Sequence, residues 1–310
     1  MTSDLRWCKL TQSGVLRFDG ADAQAFLQGQ LTNDVALLSP TRSQYAGYCT
    51  PKGRLLASFL LWQHDGAYHM LLPLALCEPV RKRLSMYILR SKVTAKDVSD
   101  GHVLFGLTGS RAADLIAGFV GAAPKAVHHA VHHQGVTAIM LPVARYLVAV
   151  APAQAPQVEA ALAATAAESP VTLWSALDIE AGIPSVVAAT QEQFVPQTVN
   201  FDLIGAVSYN KGCYPGQEIV ARAHYLGKVK QRMVRARIAA SEPPGPGDKL
   251  YTAAFGDQAS GMIVAAVTAD PGHFDVLAVV QTSSLDDATV HWQSPAGPLL
   301  QIAPLPYAIK

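Results

Sequence analysis

The chain has 310 residues, of which 50% are hydrophobic and 15% are charged, and its formal net charge is +1. This composition predicts a compact protein of two or three domains and excludes an intrinsically disordered chain. A charge so close to zero gives no overall attraction to nucleic acid or to a membrane. Without an apolar run of transmembrane length, a signal peptide or a Cys-x-x-Cys pair among its 4 cysteines, the sequence predicts a cytoplasmic protein in a reducing compartment.

The first half of the chain mixes strand-like and helix-like patterns. Short apolar runs predict strands at residues 15–18, 45–50, 55–63, 68–72, 103–107 and 146–150. Helical spacing or alanine-rich composition predicts helices at residues 22–29, 78–91, 111–120 and 157–168. The order lacks the regular alternation of a doubly wound sheet and therefore favours an α+β fold with ferredoxin-like α/β layers.

Two groups of polar residues in this half are candidates for ligand binding. Asn33 and Asp34 follow the first helix and either bind a ligand or cap their own turn. Histidines cluster at residues 128–133 and, if helical, would present pairs that could hold a transition metal. However, Gln134 and Gly135 predict a hairpin turn that would break this geometry. We therefore expect no metal site here.

A helix predicted at residues 172–181 carries Trp174 and Glu180 and ends at Gly182. A carboxylate near a helix C-terminus is disfavoured by the helix dipole, so Glu180 needs a partner. A flat heterocycle with a ring N–H beside an amino group would supply paired donors, and an aromatic ring could cover its face. Alternatively, Trp174 packs in the core and Glu180 pairs with an arginine. The residues alone leave both interpretations open.

The most constrained stretch is the signature segment, residues 211–218, with two glycines and Pro215 among eight residues. Its key residues are Lys211, Gly212, Cys213, Tyr214, Gly216, Gln217 and Glu218. Pro215 suits the first turn of a helix, and the residues that follow, 219–226, predict a short helix. Proximity to a helix N-terminus and to Lys211 favours the thiolate of Cys213, which is a candidate reactive thiol or soft-metal ligand. The alternative is a small apolar residue in a tight turn.

The last third of the chain begins with a basic segment. Residues 211–237 contain seven Lys or Arg and one acidic residue. This local positive charge would attract an anionic ligand or RNA phosphate, or protect a sheet edge. No aromatic residues are interleaved with the basic residues that follow Gly227. A Pro- and Gly-rich linker at residues 241–247 precedes short strands at residues 260–267, 276–280 and 299–302, which predict a small β-barrel.

The signature segment resembles that of the YgfZ family, folate-binding relatives of the glycine-cleavage T-protein. Further matches lie at residues 26–35, 174–184 and 304–307, so the resemblance spans nearly the whole chain. It implies a T-protein-like fold of two interleaved domains and a C-terminal β-barrel. The implied domains are a folate-binding domain from residues 1–45 and 168–232, an inserted α+β domain at residues 46–167, and a barrel at residues 233–310.

The resemblance also implies functions for individual residues. Trp174 and Glu180 would hold the pterin of tetrahydrofolate, while Asn33, Asp34, Gln197 and Asn200 would line the pocket or position the loop. Cys213, supported by Lys211, would be the functional thiol. The implied partners are folate and, transiently, iron–sulfur enzymes such as those that thiolate tRNA, with direct RNA contact as a weaker expectation.

We do not expect the protein to transfer one-carbon units. The T-protein relatives that it resembles are enzymes with a catalytic aspartate after a glycine-containing turn. The corresponding positions here are Leu56 and Ala57, whose alkyl side chains accept no proton and stabilise no developing positive charge. The departure favours an accessory protein for iron–sulfur cluster assembly or repair, and thereby for tRNA modification. A folate-dependent one-carbon transferase or demethylase and an RNA-contacting module are the alternatives.

Overall fold

The fold is that of a computed structural model, which describes residues 4–225, 227, 229–284 and 289–309. Its strands are β1 (Arg6–Lys9), β2 (Ser13–Asp19), β3 (Gln44–Cys49), β4 (Leu55–His64), β5 (Ala67–Pro73), β6 (Thr94–Asp97), β7 (Val103–Thr108), β8 (Ala130–His133), β9 (Val136–Leu141), β10 (Arg145–Val150), β11 (Ala167–Glu168), β12 (Gln231–Ala239), β13 (Lys249–Thr252), β14 (Gly261–Asp270), β15 (His273–Gln281), β16 (Val290–Trp292) and β17 (Leu300–Ala303). Its α-helices are α1 (Ala23–Gln28), α2 (Leu74–Ser85), α3 (Ala112–Val120), α4 (Ala155–Thr165), α5 (Thr172–Ala181) and α6 (Gln217–Tyr225).

The chain divides into two compact units. Unit 1 comprises Met1–Gly29, Asp34–Tyr45 and Phe59–Trp174, and unit 2 comprises Gln30–Asn33, Ala46–Ser58 and Ser175–Lys310. The three-domain division expected from the sequence stays a prediction. Within the described residues, no helix has both the length and the apolar character needed to cross a lipid bilayer.

Unit 1 contains a six-stranded sheet in the order β11-β1-β7-β10-β9-β8. Helices α3 and α4 pack on one face through a core that includes Trp7, Phe105, Ile116 and Leu162. The predicted hairpin at the histidine cluster is confirmed, because β8 and β9 pair across Gln134 and Gly135, both with positive φ. His132 and His133 therefore lie on a strand and not on a helix.

A second sheet in unit 1 is antiparallel, with β5 between β2 and the later half of β4, and with β6 on the other side of β2. Helix α2 packs against it through side chains such as Leu76 and Val80. The predicted helix at residues 78–91 is wrong in its bounds. Helix α2 begins at Leu74, carries Pro79 inside it and ends at Ser85, and the following chain forms turns in which Leu89 has φ +41°.

Unit 2 contains the C-terminal sheet in the order β16-β13-β14-β15-β12-β17. Its core includes Ile238, Leu250, Val276 and Trp292. The two end strands approach each other through a bridge between His291 and Leu299, so the sheet curls on itself. The small C-terminal barrel expected from the sequence is confirmed as a curled half-barrel sheet, and the α+β class is confirmed with it.

Candidate functional site

The signature segment is seated on the turn between β3 and β4 through two glycines. Gly53 and Gly216 have φ of +69° and +81°, a region that favours glycine. A Cβ atom on Gly216 would lie 2.4 Å from the Thr50 carbonyl oxygen and 2.6 Å from Gly53 Cα. Because these neighbours are backbone atoms, they have little freedom to yield. The contact therefore requires glycine and fixes where α6 begins.

Helix α6 covers Gln217–Tyr225, so Pro215 precedes the helix and the expectation that it occupies the first turn is wrong. The Gln217 N–H donates to the Tyr214 carbonyl oxygen at 3.1 Å and closes the turn that leads into the helix. Glu218 lies in the first helical turn, where the helix dipole favours a carboxylate. The predicted end of the helix at Leu226 lies outside the described residues.

Lys211 is buried and binds main-chain oxygens. Its Nζ donates to the carbonyls of Leu31 at 2.6 Å and Asn33 at 3.1 Å, and it lies 5.0 Å from the centroid of the Tyr214 ring. Tyr214 is buried as well, and burial raises its pKa. The ammonium thus ties the signature segment to residues 31–33. Its expected influence on the Cys213 thiol stays a prediction.

Cys213 is exposed, whereas Cys8, Cys49 and Cys77 are buried, and all of them are free thiols. Burial raises the pKa of Cys8 and Cys77 to about 11 and that of Cys49 to about 12. Cys213 is therefore the thiol that solvent and solutes reach. Over the described ranges of the chain, no group of three or more His, Cys, Asp or Glu side chains has a metal-binding arrangement.

Gln197 and Asn200 are fully buried, and their side chains donate hydrogen bonds to main-chain carbonyls of α6 and β12. Gln197 donates through Nε2 to the Val220 carbonyl at 2.6 Å, which ties its segment to α6. Asn200 has a left-handed backbone and donates through Nδ2 to the Met233 carbonyl at 2.7 Å. Both side chains hold backbone segments in position, as one of the two sequence interpretations expected. Their contact with folate stays a prediction.

Arg232 completes this support and was missed by the sequence analysis. Its guanidinium makes a two-pronged contact with Asp202 at 2.7 and 3.0 Å and donates to the Gln197 carbonyl at 2.8 Å. Arg232 is only 5% exposed, so this pair is largely desolvated. The partners are 30 residues apart, and no local pattern in the sequence joins them.

Asn33 and Asp34 lie in different units and differ in role. In unit 2, Asn33 donates through Nδ2 to the Gly205 carbonyl at 2.7 Å. In unit 1, Asp34 accepts from the Ala36 N–H at 3.1 Å and from Gln28 Nε2 at 2.9 Å, so it caps its own turn. The capping interpretation of Asp34 is confirmed, and the proposed ligand contacts of both residues stay predictions.

The two residues expected to hold the pterin have contrasting surroundings. In unit 1, Trp174 is 8% exposed, its ring packs on Gly106, and the Arg145 guanidinium lies 4.3 Å from its ring centroid. In unit 2, Glu180 is exposed and makes no hydrogen bond or ion pair with any described residue. Leu56 and Ala57, at the positions expected to lack carboxylates, are buried.

Comparisons with known proteins agree with this architecture. A family model described as the GCVT N-terminal domain matches residues 6–150. Two proteins called tRNA-modifying protein YgfZ are similar to this chain. The one from Sodalis glossinidius is 34% identical over 95% of this chain and 90% of its own length, and the one from Klebsiella pneumoniae is 32% identical over 94% and 89%.

Among solved structures, the glycine cleavage system aminomethyltransferase T from Bartonella henselae superimposes with a TM-score of 0.76. It is 14% identical, and the match covers 98% of this chain and 86% of that chain. This likeness confirms the T-protein-like fold. Together with the identity to the curated relatives over almost their full length, it leads to one conclusion: the chain belongs to the YgfZ family.

Proposed function

We propose that the protein is a tRNA-modifying protein that binds reduced folate and acts through Cys213 without transferring one-carbon units itself. The observation that carries the proposal is the exposed Cys213 thiol in a loop held by the Gly53–Gly216 contact and by the buried Lys211. The similarity to proteins called tRNA-modifying protein YgfZ supports the tRNA role. A rigid backbone beside an accessible thiol suits sulfur or redox chemistry, because the nucleophile is held ready for its partner.

The finer part of the proposal is support for iron–sulfur cluster assembly or repair in enzymes that thiolate tRNA. In this account Cys213 supplies the redox or sulfur-handling group during a transient encounter with such an enzyme. The buried Leu56 and Ala57 support an accessory role, because these positions have no carboxylate that could donate or accept a proton. A cytoplasmic location belongs to the same proposal.

Tetrahydrofolate is the proposed cofactor. Glu180 fits one part of it, because its exposed carboxylate pairs with none of the residues that the structure describes and can accept the paired N–H donors of a pterin. The Trp174 indole is packed against Gly106 and Arg145, so its assignment depends on the family resemblance alone. When bound, the folate would supply one-carbon or redox chemistry, while the chain's own residues would bind and orient it.

Complementation of a bacterial strain that lacks its own family member tests the tRNA role. Thiolated nucleosides in total tRNA are measured by mass spectrometry after expression of the parent, Cys213→Ala or Cys77→Ala. We expect the parent and the Cys77→Ala control to restore thiolation and Cys213→Ala to fail. Full rescue by Cys213→Ala would remove the thiol role, and no rescue by the parent would contradict the function itself.

Titration with tetrahydrofolate tests the cofactor. Calorimetry of the parent and Glu180→Gln measures affinity, and tryptophan emission is followed in Trp174→Phe and in a Trp292→Phe control. We expect Glu180→Gln to weaken binding and only Trp174→Phe to remove the emission change. An unchanged signal in Trp174→Phe would place the pterin elsewhere, and no heat with the parent would exclude the cofactor.

A one-carbon transferase or demethylase is the enzymatic alternative, on the basis of the shared fold. It would require another group to replace the missing carboxylates at Leu56 and Ala57. Purified protein is incubated with tetrahydrofolate and an amine donor such as sarcosine. Release of formaldehyde or formation of methylene-tetrahydrofolate would establish this alternative, whereas we expect neither product.

Direct contact with tRNA is a second candidate, favoured by an aromatic cluster that Tyr209 forms with the end of α6. The rings of Tyr209 and His224 stack with centroids 3.7 Å apart, and Tyr225, 65% exposed, lies edge-on to both. Such rings offer stacking surfaces to unpaired bases. We expect tRNA binding that weakens steeply with salt and with Tyr225→Ala, but not with Tyr87→Ala in unit 1. Absence of binding at low salt would end this candidate.

A further inference from the structure

Unit 1 contains a cavity of about 330 Å³ that takes no part in the proposed function. Its polar lining comes from Arg17, His64, Asp65, His69, His102 and Thr137. The apolar remainder of the wall includes Val98, Ala149 and Ala151. We name it the histidine cavity. Its volume is in the range of small-molecule sites, which are concave and largely apolar with a few polar groups.

Sheet register brings the polar residues together. Arg17 on β2 pairs with His69 on β5, and His69 pairs with Trp62 on β4. Residues paired across antiparallel strands point to the same face of a sheet, and so do residues two apart on one strand. His64, two residues after Trp62, therefore joins Arg17 and His69 on this face.

His69 is the most confined of these groups. It is 6% exposed, stacks on Trp62 with ring centroids 5.3 Å apart, and meets His102 edge-on at 5.7 Å. Its Nδ1 is buried without a hydrogen-bond partner in the described part of the chain. Because a buried N–H rarely lacks an acceptor, the proton belongs on Nε2, and His69 is a neutral donor.

The neighbouring imidazoles are held by main-chain carbonyls. His102 Nδ1 donates to the Val98 carbonyl at 3.0 Å, and His132 Nε2 donates to the Pro40 carbonyl at 2.7 Å. His64 stacks on His132 at 4.3 Å, and its Nε2 lies 3.3 Å from Asp65 Oδ2. These contacts set the ring positions. Among the described residues Arg17 makes one ion pair, from its Nε to Asp19 Oδ2 at 3.3 Å, which leaves the terminal nitrogens of its guanidinium for a ligand.

We propose that the histidine cavity binds a small organic anion, namely a carboxylate or a phosphate ester with a short carbon chain. Arg17 supplies a fixed positive charge, and His64, His69 and His102 each supply a donor or an additional charge. The carboxylate in the lining, Asp65, is 83% exposed in its side chain and lies beside His64. The apolar wall accommodates the carbon chain. A metal is disfavoured, since the described residues present no metal-binding group of three.

Anion binding should be coupled to proton uptake. Burial first, and then positive charge on His102, Arg17, His64 and His132, lowers the pKa of His69 to about 3. An anion beside the ring offsets the repulsion from these positive charges and raises this pKa, so the complex holds protons more tightly than the empty cavity. Affinity should therefore rise as the pH falls, by at most about tenfold per pH unit for each proton taken up.

The test uses the full chain with succinate and inorganic phosphate as separate probes. Histidine ring signals are followed by NMR between pH 7.5 and 5.5. We expect the His69 and His102 signals to move with at least one probe at millimolar concentration. We expect that probe to bind more tightly at the lower pH. The probe that binds identifies carboxylate or phosphate chemistry. Arg17→Gln should weaken binding roughly tenfold or more, because it removes a charge-assisted hydrogen bond.

Arg90→Gln, an exposed position in unit 1, is the matched control and should leave the affinity unchanged. His69→Asn provides a second variant of similar size that removes the coupled proton, and it should flatten the pH dependence. Unmoved ring signals with both probes would overturn the proposal. The proposal would also be overturned if Arg17→Gln and Arg90→Gln lost equal affinity for the probe, or if His69→Asn kept the pH dependence of the parent.

Discussion

The signature segment of unit 2 and the histidine cavity of unit 1 are assembled in opposite ways. The signature segment is eight consecutive residues whose backbone is locked by Gly216 and Lys211, and it leaves the Cys213 side chain exposed. The histidine cavity collects side chains from β2, β4, β5 and later loops, and it buries His69. A site held by its backbone should fail when the backbone is disturbed. A site held by titratable side chains should respond to pH.

We expect Gly216→Ala to cause the largest loss in the free energy of unfolding. The new Cβ would lie 2.4 Å from the Thr50 carbonyl oxygen, at a φ of +81°, so overlap adds to backbone strain. We expect the free energy of unfolding, measured in urea, to fall by about 4 kcal/mol.

Gly205→Ala is the matched control for this prediction. Gly205 also has a positive φ, +69°, but its Cβ would meet nothing within 4 Å. We expect a loss of about 1 kcal/mol, from backbone strain alone. Equal losses in the two variants would show that the Gly53–Gly216 contact contributes little.

Much of the signature segment could be predicted from sequence because its constraints are local. Glycine and proline spacing indicated the turn, and the hairpin of β3 and β4 followed from strand patterns around Gly53. The contact between these two turns could not be predicted, because Gly53 and Gly216 are far apart in the chain. The same holds for Arg232 with Asp202, whose pairing depends on how β12 is placed.

The histidine cavity was missed for a related reason. Sequence spacing singles out the histidines at residues 128–133, whereas His64, His69 and His102 each stand alone in strand or loop sequence. The register of β2, β4 and β5 brings His64 and His69 together, and His102 meets His69 from the loop before β7. Of the conspicuous group, His132 stacks on His64, a contact that no spacing rule indicates.

The second largest effect is a pH dependence that arises in unit 1. His69 has its pKa lowered by burial to about 3, from 6.5 for the free side chain. Below pH 6.5 the unfolded chain binds a proton that the folded chain does not, so stability falls as the pH falls toward 3. Between pH 6.5 and 4 we expect His69 to account for a loss on the order of 3 kcal/mol.

Chemical denaturation at these two pH values measures this loss. His69→Asn should lose less stability than the parent, while His133→Asn, at an exposed position, should lose as much as the parent. An identical decline in all of these proteins would assign the acid sensitivity to other groups. Burial lowers the pKa of His128 to about 4, which makes it the next residue to replace.

Lys211→Met tests the side-chain part of the signature segment. The change leaves the carbonyls of Leu31 and Asn33 without the donor that reaches them at 2.6 and 3.1 Å. We expect unfolding in urea to show a loss of about 2 kcal/mol. Lys52→Met, at an exposed position of the turn after β3, should stay within about 0.5 kcal/mol of the parent. Similar values for the two variants would mean that the buried ammonium adds no net stability.

The smallest effect on stability is expected at the residue proposed to carry the chemistry. Cys213 is exposed, so Cys213→Ser should change the free energy of unfolding by less than about 0.5 kcal/mol. Cys77→Ser should cost roughly 1–3 kcal/mol, because it places a hydroxyl where a thiol is buried.

An aromatic disulfide reagent should titrate one thiol rapidly in the folded parent and none in Cys213→Ser, with the remaining thiols reacting only after unfolding. Rapid labelling of a second thiol would show that the buried sulfurs open to solvent, and a stability loss in Cys213→Ser as large as that in Cys77→Ser would make Cys213 a packing residue. A stable variant that fails to restore tRNA thiolation would instead separate the chemistry of the signature segment from the backbone that holds it.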